Sequence, residues 1–183
     1  AISYFKKSNK FSINSDIYFM SCFWLSESYY QVKDYKNAIS THKKIAYVSD
    51  KKLNEYVINQ KYNNAYCYYN TKQYKSAIEY FKIFENNSKD SIYLNDTYLR
   101  LADSYFMRKN YFKAHEYYQK TINYSLFDID YALYKSSIAA GLLNKNLDKV
   151  KNLKKIVSDF PKSIYFDVSL YDLANYYKGI NNY

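Results

Sequence analysis

The sequence predicts an all-α fold, a right-handed superhelical stack of antiparallel helix pairs, and three observations carry that expectation. Turn formers are nearly missing, with two Gly and one Pro in 183 residues, too few for the hairpins of a many-stranded sheet or for phosphate-cradling loops. Hydrophobic residues make up 48% of the chain, enough to build a core despite the abundant Asn, Lys and Ser. A two-part pattern recurs along the chain, and a recurring block of this length is the signature of stacked structural repeats.

The first part of the pattern is a small residue followed three positions later by Tyr, as in Leu25-Ser26-Glu27-Ser28-Tyr29, Asn64-Ala65-Tyr66-Cys67-Tyr68 and Leu101-Ala102-Asp103-Ser104-Tyr105. The second is Tyr35-Lys36-Asn37-Ala38, Tyr74-Lys75-Ser76-Ala77 and Tyr111-Phe112-Lys113-Ala114. Each Ala falls 12 residues after the first small residue. Two helices approach closely only where small side chains face each other and larger ones fill the flanks. Ser26 with Ala38, Ala65 with Ala77, and Ala102 with Ala114 therefore mark helix crossings, with the tyrosines plugging the open end of each hairpin.

Taken in order, residues 1–8 form the second helix of a pair, followed by pairs at 16–32 with 35–48, 52–71 with 74–87, 91–108 with 111–124, and 128–143 with 147–158, then a single helix at 163–179. The corresponding repeats span about 16–50, 51–88, 90–125 and 128–161, flanked by partial repeats at 1–15 and 163–183 in one continuous domain. The fourth copy is degenerate, with Ser137 in the small slot, Ala140 in place of Tyr and Lys149 in place of Ala.

These blocks resemble the tetratricopeptide repeat family, whose pattern is W-x2-L-G-x2-Y, then A-x3-F, then P. The Ala slots at Ala1, Ala38, Ala77 and Ala114 are 37, 39 and 37 apart, longer than the family's 34, and Pro161 stands where the family places its Pro. The resemblance implies a scaffold that binds a protein or peptide on a curved surface lined by the first helices. The segment Asp159-Phe160-Pro161-Lys162-Ser163 is similar to repeats of bacterial cell-envelope proteins, which implies the periplasm or envelope in preference to the cytoplasm; the residues themselves leave the compartment unknown.

Helical spacing from the small slot places Phe23, Glu27, Tyr30, Tyr62, Tyr66, Tyr69, Leu99, Asp103, Phe106, Tyr134, Ile138, Tyr171 and Asn175 on the inner face of the first helices. Tyr66 and Tyr69 are the foremost expected contacts, because Tyr62 and Tyr68 on the same helix supply packing.

Catalysis needs a nucleophile, base or metal in mutual reach, and neither histidine suggests one. His42 occupies an aromatic slot, and after His115-Glu116 the second ligand of a zinc helix is replaced by Gln119. No phosphate-loop or nucleophile-elbow motif occurs, so no catalytic residue, cofactor or metal is expected. Cys22 and Cys67 lie in apolar helical stretches as free thiols, and no apolar run is long enough to span a bilayer.

Net charge is +10, and 27 of the residues are Tyr, which raises a helical-repeat RNA binder as the alternative function. Against nucleic acid, the Lys residues are dispersed, Lys43 and Lys44 fall on an outer helix, and the inner set contains no Lys or Arg but does contain Glu27 and Asp103. Unpaired end helices also raise an expectation of self-association.

Overall fold

The computed structural model describes residues 1–12, 15–44 and 55–180. Among them the regular structure is helical: α1 (Ile2–Phe11), α2 (Ser15–Gln31), α3 (Tyr35–Lys43), α4 (Glu55–Asn70), α5 (Tyr74–Asn87), α6 (Ser91–Met107), α7 (Tyr111–Tyr124), α8 (Ile129–Leu142), α9 (Asn146–Asp159) and α10 (Phe166–Ile180). The expected end of α3 near 48 and start of α4 near 52, with the repeat boundary between them, lie outside the described residues. Helix α10 begins at Phe166, later than the expected start at 163. The Ser163 hydroxyl accepts a hydrogen bond from the Tyr165 amide at 3.1 Å and the Ser163 amide donates to the Phe160 carbonyl at 3.0 Å, so 160–165 is spent on a turn that delays the helix.

The chain forms two compact units, Ala1–Ser88 and Lys89–Tyr183. In the first, α1 packs on α2, α2 on α3, α3 on α4 and α4 on α5; in the second, each helix from α6 to α10 packs on the next. The small slots are at the crossings. Ala38, Ala65, Ala77, Ala102 and Ala114 have no exposed surface, and the Ser26 hydroxyl donates to the Ala38 carbonyl at 3.1 Å. Beside them, Tyr68 stacks on Tyr80 with centroids 5.2 Å apart and Tyr105 on Tyr117 at 5.6 Å. Tyr68 and Tyr117 are buried and their partners half-buried, and these rings fill the space that the alanines leave.

The turn within each hairpin is made without glycine. Lys33, Lys72, Lys109 and Asn144 all adopt the left-handed conformation, with φ of 60°, 59°, 60° and 57°. Each donates its amide three residues back, and the next amide reaches five residues back, as in Lys72 to Tyr69 at 2.9 Å and Gln73 to Tyr68 at 2.8 Å. That bond pair satisfies the last carbonyls of the first helix. Asp34 and Asn110 then cap the second helix by accepting from the amides of Asn37 and Lys113.

Candidate functional site

On the first-helix face of the first unit, three of the expected residues make one aromatic row. Tyr66 lies 5.0 Å from Tyr62 and 6.3 Å from Tyr69, centroid to centroid. The row also leans on its own hairpin: Tyr62 is 5.0 Å from Phe84, Tyr66 is 5.5 Å from Phe81, and Tyr69 is 5.9 Å from Tyr74. Half-buried rings of this kind combine packing on one side with an open edge on the other. Tyr30 repeats the pairing with Tyr35 at 6.3 Å. Glu27 is half-buried and accepts from Gln31 at 2.9 Å and from Asn63 at 2.8 Å, linking α2 to α4. Phe23 is a core residue, 7% exposed, and its neighbour Trp24 is the ring that reaches solvent, 41% exposed.

In the second unit Asp103 is buried. Its Oδ1 accepts the hydroxyls of Tyr118 at 2.7 Å and Tyr131 at 2.8 Å, while Arg100 Nη1 pairs with Oδ2 at 3.0 Å and Arg100 Nε with Asp96 at 3.3 Å. A carboxylate taken from water needs partners of this kind, and Tyr118, Tyr131 and Arg100 supply them. Leu99 is buried too, 1% exposed. Phe106 pairs with Tyr111 at 5.4 Å and carries the Lys135 ammonium 4.2 Å above its ring. Tyr134 is stacked on Tyr165 at 4.8 Å, Ile138 is half-buried, and Tyr171 and Asn175 are exposed.

Helix α6, the start of α8 and the turn before α10 line an open cavity of about 540 Å³, bordered by Leu99, Arg100, Asp128, Asp130, Tyr131 and Lys162 to Tyr165. The Ser163 hydroxyl donates to Asp130 at 2.5 Å and so ties the turn to the start of α8. Burial raises the Tyr165 phenol above its usual pKa, and after burial the carboxylate of Asp130, then Tyr134, Asp128 and Asp103, push the same way.

Sequence spacing did not single out Asn63, Arg100, Tyr131, Lys135 or Tyr165. Asn63, Arg100 and Lys135 each sit one residue beyond an inner slot, at Tyr62, Leu99 and Tyr134, and that shared offset was a readable signal. Arg100 and Lys135 place cations beside two of the expected inner-face residues. Both cations there are engaged, Arg100 by carboxylates and Lys135 by a ring.

A Ser, a His and an Asp do converge elsewhere in this unit. The Ser136 hydroxyl is 2.9 Å from His115 Nδ1, and His115 Nε2 is 3.5 Å from Asp148. Ser136 has no exposed surface and accepts from Gln119 at 2.9 Å, so its oxygen cannot meet a substrate carbonyl; the array joins α7, α8 and α9. Cys22 and Cys67 are buried free thiols. Burial, followed by Glu27, pushes the Cys67 thiol up to about 12, far from the reactive thiolate range. Among the described residues no helix is long and apolar enough to cross a membrane.

Residues 96–124, covering most of α6 and α7, match the Tetratricopeptide repeat family model. They are a tetratricopeptide repeat. The tetratricopeptide-type fold extends beyond that match. The crystal structure of MamA protein superimposes with a TM-score of 0.67 at 21% identity, over 86% of this chain and 79% of that one. MamA 41-end from Desulfovibrio magneticus RS-1 gives 0.63 at 14% identity, over 85% and 81%. The apo form of RapI gives 0.67 at 18% identity over all of this chain and 54% of its own, so the chain spans about half the length of RapI. At these identities the likeness establishes the fold. No curated protein sequence matches the chain.

Proposed function

We propose that this chain is a non-catalytic scaffold that takes up a protein or peptide segment on the first-helix faces of its tetratricopeptide hairpins. The observation that carries the reading is the open cavity between α6, α8 and the turn before α10, whose lining includes Tyr131 and Tyr165. A concave, mostly preformed site with a few convergent polar groups is where a ligand group is buried, and helical-repeat folds use the same face for extended partners. The aromatic row Tyr62, Tyr66 and Tyr69, with Glu27, Tyr30, Phe106 and Tyr134, supplies further contact edges. Phe23 and Asp103 hold these neighbours in place from the interior, and Tyr171 offers an exposed ring on α10.

Selection of random displayed peptides on the full chain, followed by fluorescence anisotropy with the recovered peptides, tests this. Tyr66→Ala with Tyr69→Ala, or Tyr165→Ala, should weaken binding by tenfold or more, about 1.4 kcal/mol, while Lys43→Glu with Lys44→Glu on α3 leaves it unchanged. Anisotropy with single-stranded homopolymer RNA across a salt series is the opposing arm. Tight, steeply salt-dependent RNA binding that survives the tyrosine variants and fails in the lysine pair would overturn the scaffold reading.

A further inference from the structure

We infer that the cavity of the second unit takes a cationic side chain, a lysine or arginine presented by the bound segment; this rests on the scaffold reading above and adds the chemistry of one anchor. Charge is the first ground. The chain carries +10 overall, yet Asp128 and Asp130 line the cavity with Asp96 and Asp103 directly behind its Arg100 wall, four carboxylates against Arg100 and Lys162. A pocket of sign opposite to the rest of the molecule concentrates ligands of the opposite charge.

The cations of the cavity do not offer an anion site. Arg100 turns Nε to Asp96 and Nη1 to Asp103, so its planar fork is already spent on carboxylates. Lys162 stands exposed at the rim, where solvent screens it. Asp128 is exposed as well, but it occupies the N-cap position of α8 with φ 55°, and its side chain makes no capping bond. An aspartate in that position ordinarily accepts a helix amide; here the carboxylate is left for another donor.

Aromatic faces are the second ground. The rings of Tyr131 and Tyr165 lie 6.0 Å apart, and Tyr165 is backed by the parallel ring of Tyr134. Ammonium and guanidinium groups bind such faces, and this unit already uses the interaction internally, with Lys120 4.4 Å above Tyr117. Both oxygens of Asp130 already accept, from the Tyr131 amide and the Ser163 hydroxyl, so a lysine or arginine entering the cavity would lay its methylenes along the two contacting tyrosine rings and turn its donors toward Asp128.

The peptides recovered by displayed-peptide selection on the full chain serve as probes. They should share a Lys or Arg whose replacement by Leu weakens binding about tenfold, the scale of one charge-assisted contact. Asp128→Asn, in which Asn suits the left-handed backbone, should cost a similar factor with an unchanged melting curve, and Asp128→Lys should cost more. Tyr165→Leu should weaken the basic peptides while a Leu-substituted peptide loses little. Peptides that bind through acidic or apolar anchors and ignore Asp128→Asn would overturn the inference and leave the scaffold reading standing. So would competition by millimolar inorganic phosphate. Failure to recover any binding peptide would overturn both.

Discussion

In the hairpin of α4 and α5, Ala65 and Ala77 are wholly buried at the crossing, and Tyr68 and Tyr69 supply bulk on the first helix. In the hairpin of α8 and α9 the same four slots hold Ser137, Lys149, Ala140 and Gly141. The bulk has changed sides. A Cβ built on Gly141 would lie 3.4 Å from Lys149 Cδ, so the aliphatic stem of Lys149 fills the volume that the tyrosines fill in α4 and α5. What the repeat holds constant is the summed volume at the crossing, not the residue in each slot.

Acid separates the two hairpins most. His42, beside Lys61 of α4 and with its ring 5.6 Å from Tyr80 of α5, has its pKa lowered to about 4, first by burial and then by Lys61, with Gln60 opposing. Because the unfolded chain binds that proton near the ordinary pKa of about 6.5, stability is full above it, declines as pH falls through the window, and levels off below pH 4. The loss approaches about 3 kcal/mol for the first unit. Hydrogen exchange should show α4 and α5 losing protection before α8 and α9, and His42→Phe should flatten the difference.

Next in size, Ala77→Leu or Ala114→Leu should destabilise by about 1–3 kcal/mol in urea melts, because the added atoms enter a filled crossing, whereas Lys149→Leu should cost less than about 1 kcal/mol. Equal losses at the two sites would break the comparison. Lys149→Ala should cost about 1 kcal/mol by emptying the space beside Gly141, and Gly141→Tyr should be unfavourable by itself. Together they rebuild the α4–α5 arrangement, so the double variant should recover at least about 0.5 kcal/mol relative to the sum of the singles. The smallest contrast is at the turns. Lys72→Gly should stabilise by about 1 kcal/mol and Asn144→Gly by only about 0.3 kcal/mol, because Asn tolerates the left-handed backbone that Lys resists.

The helices and crossings were legible because they depend on short-range spacing: a small residue, a tyrosine one turn on, and an alanine 12 residues later fix both elements at once. The cavity was not. Its walls come from α6, the start of α8 and the turn at 160–165, and Tyr165 and Ser163 fall outside every repeat slot. Spacing also cannot rank burial on one face, which is why Phe23 and Asp103 stood beside Tyr66 in the expected groove although both are interior. Asp103 reads as a groove acid until Arg100, Tyr118 and Tyr131 are seen to surround it. The fourth copy is degenerate slot by slot, and the compensation lies in the pair that Lys149 forms with Gly141.

The left-handed lysines have a consequence for how the molecule can be watched. Trypsin needs several residues around the cleaved bond to lie extended in its cleft, and Lys33, Lys72 and Lys109 are held in tight turns whose amides are bonded back into the preceding helix. They are accessible in sequence and withheld in shape. Cleavage at any of them therefore requires its own hairpin to open first, and when reclosing is fast the rate of each cut follows the population of that open state. Lys72 and Lys109 lie in different units, so the order in which their fragments accumulate is a record of which unit opens more often.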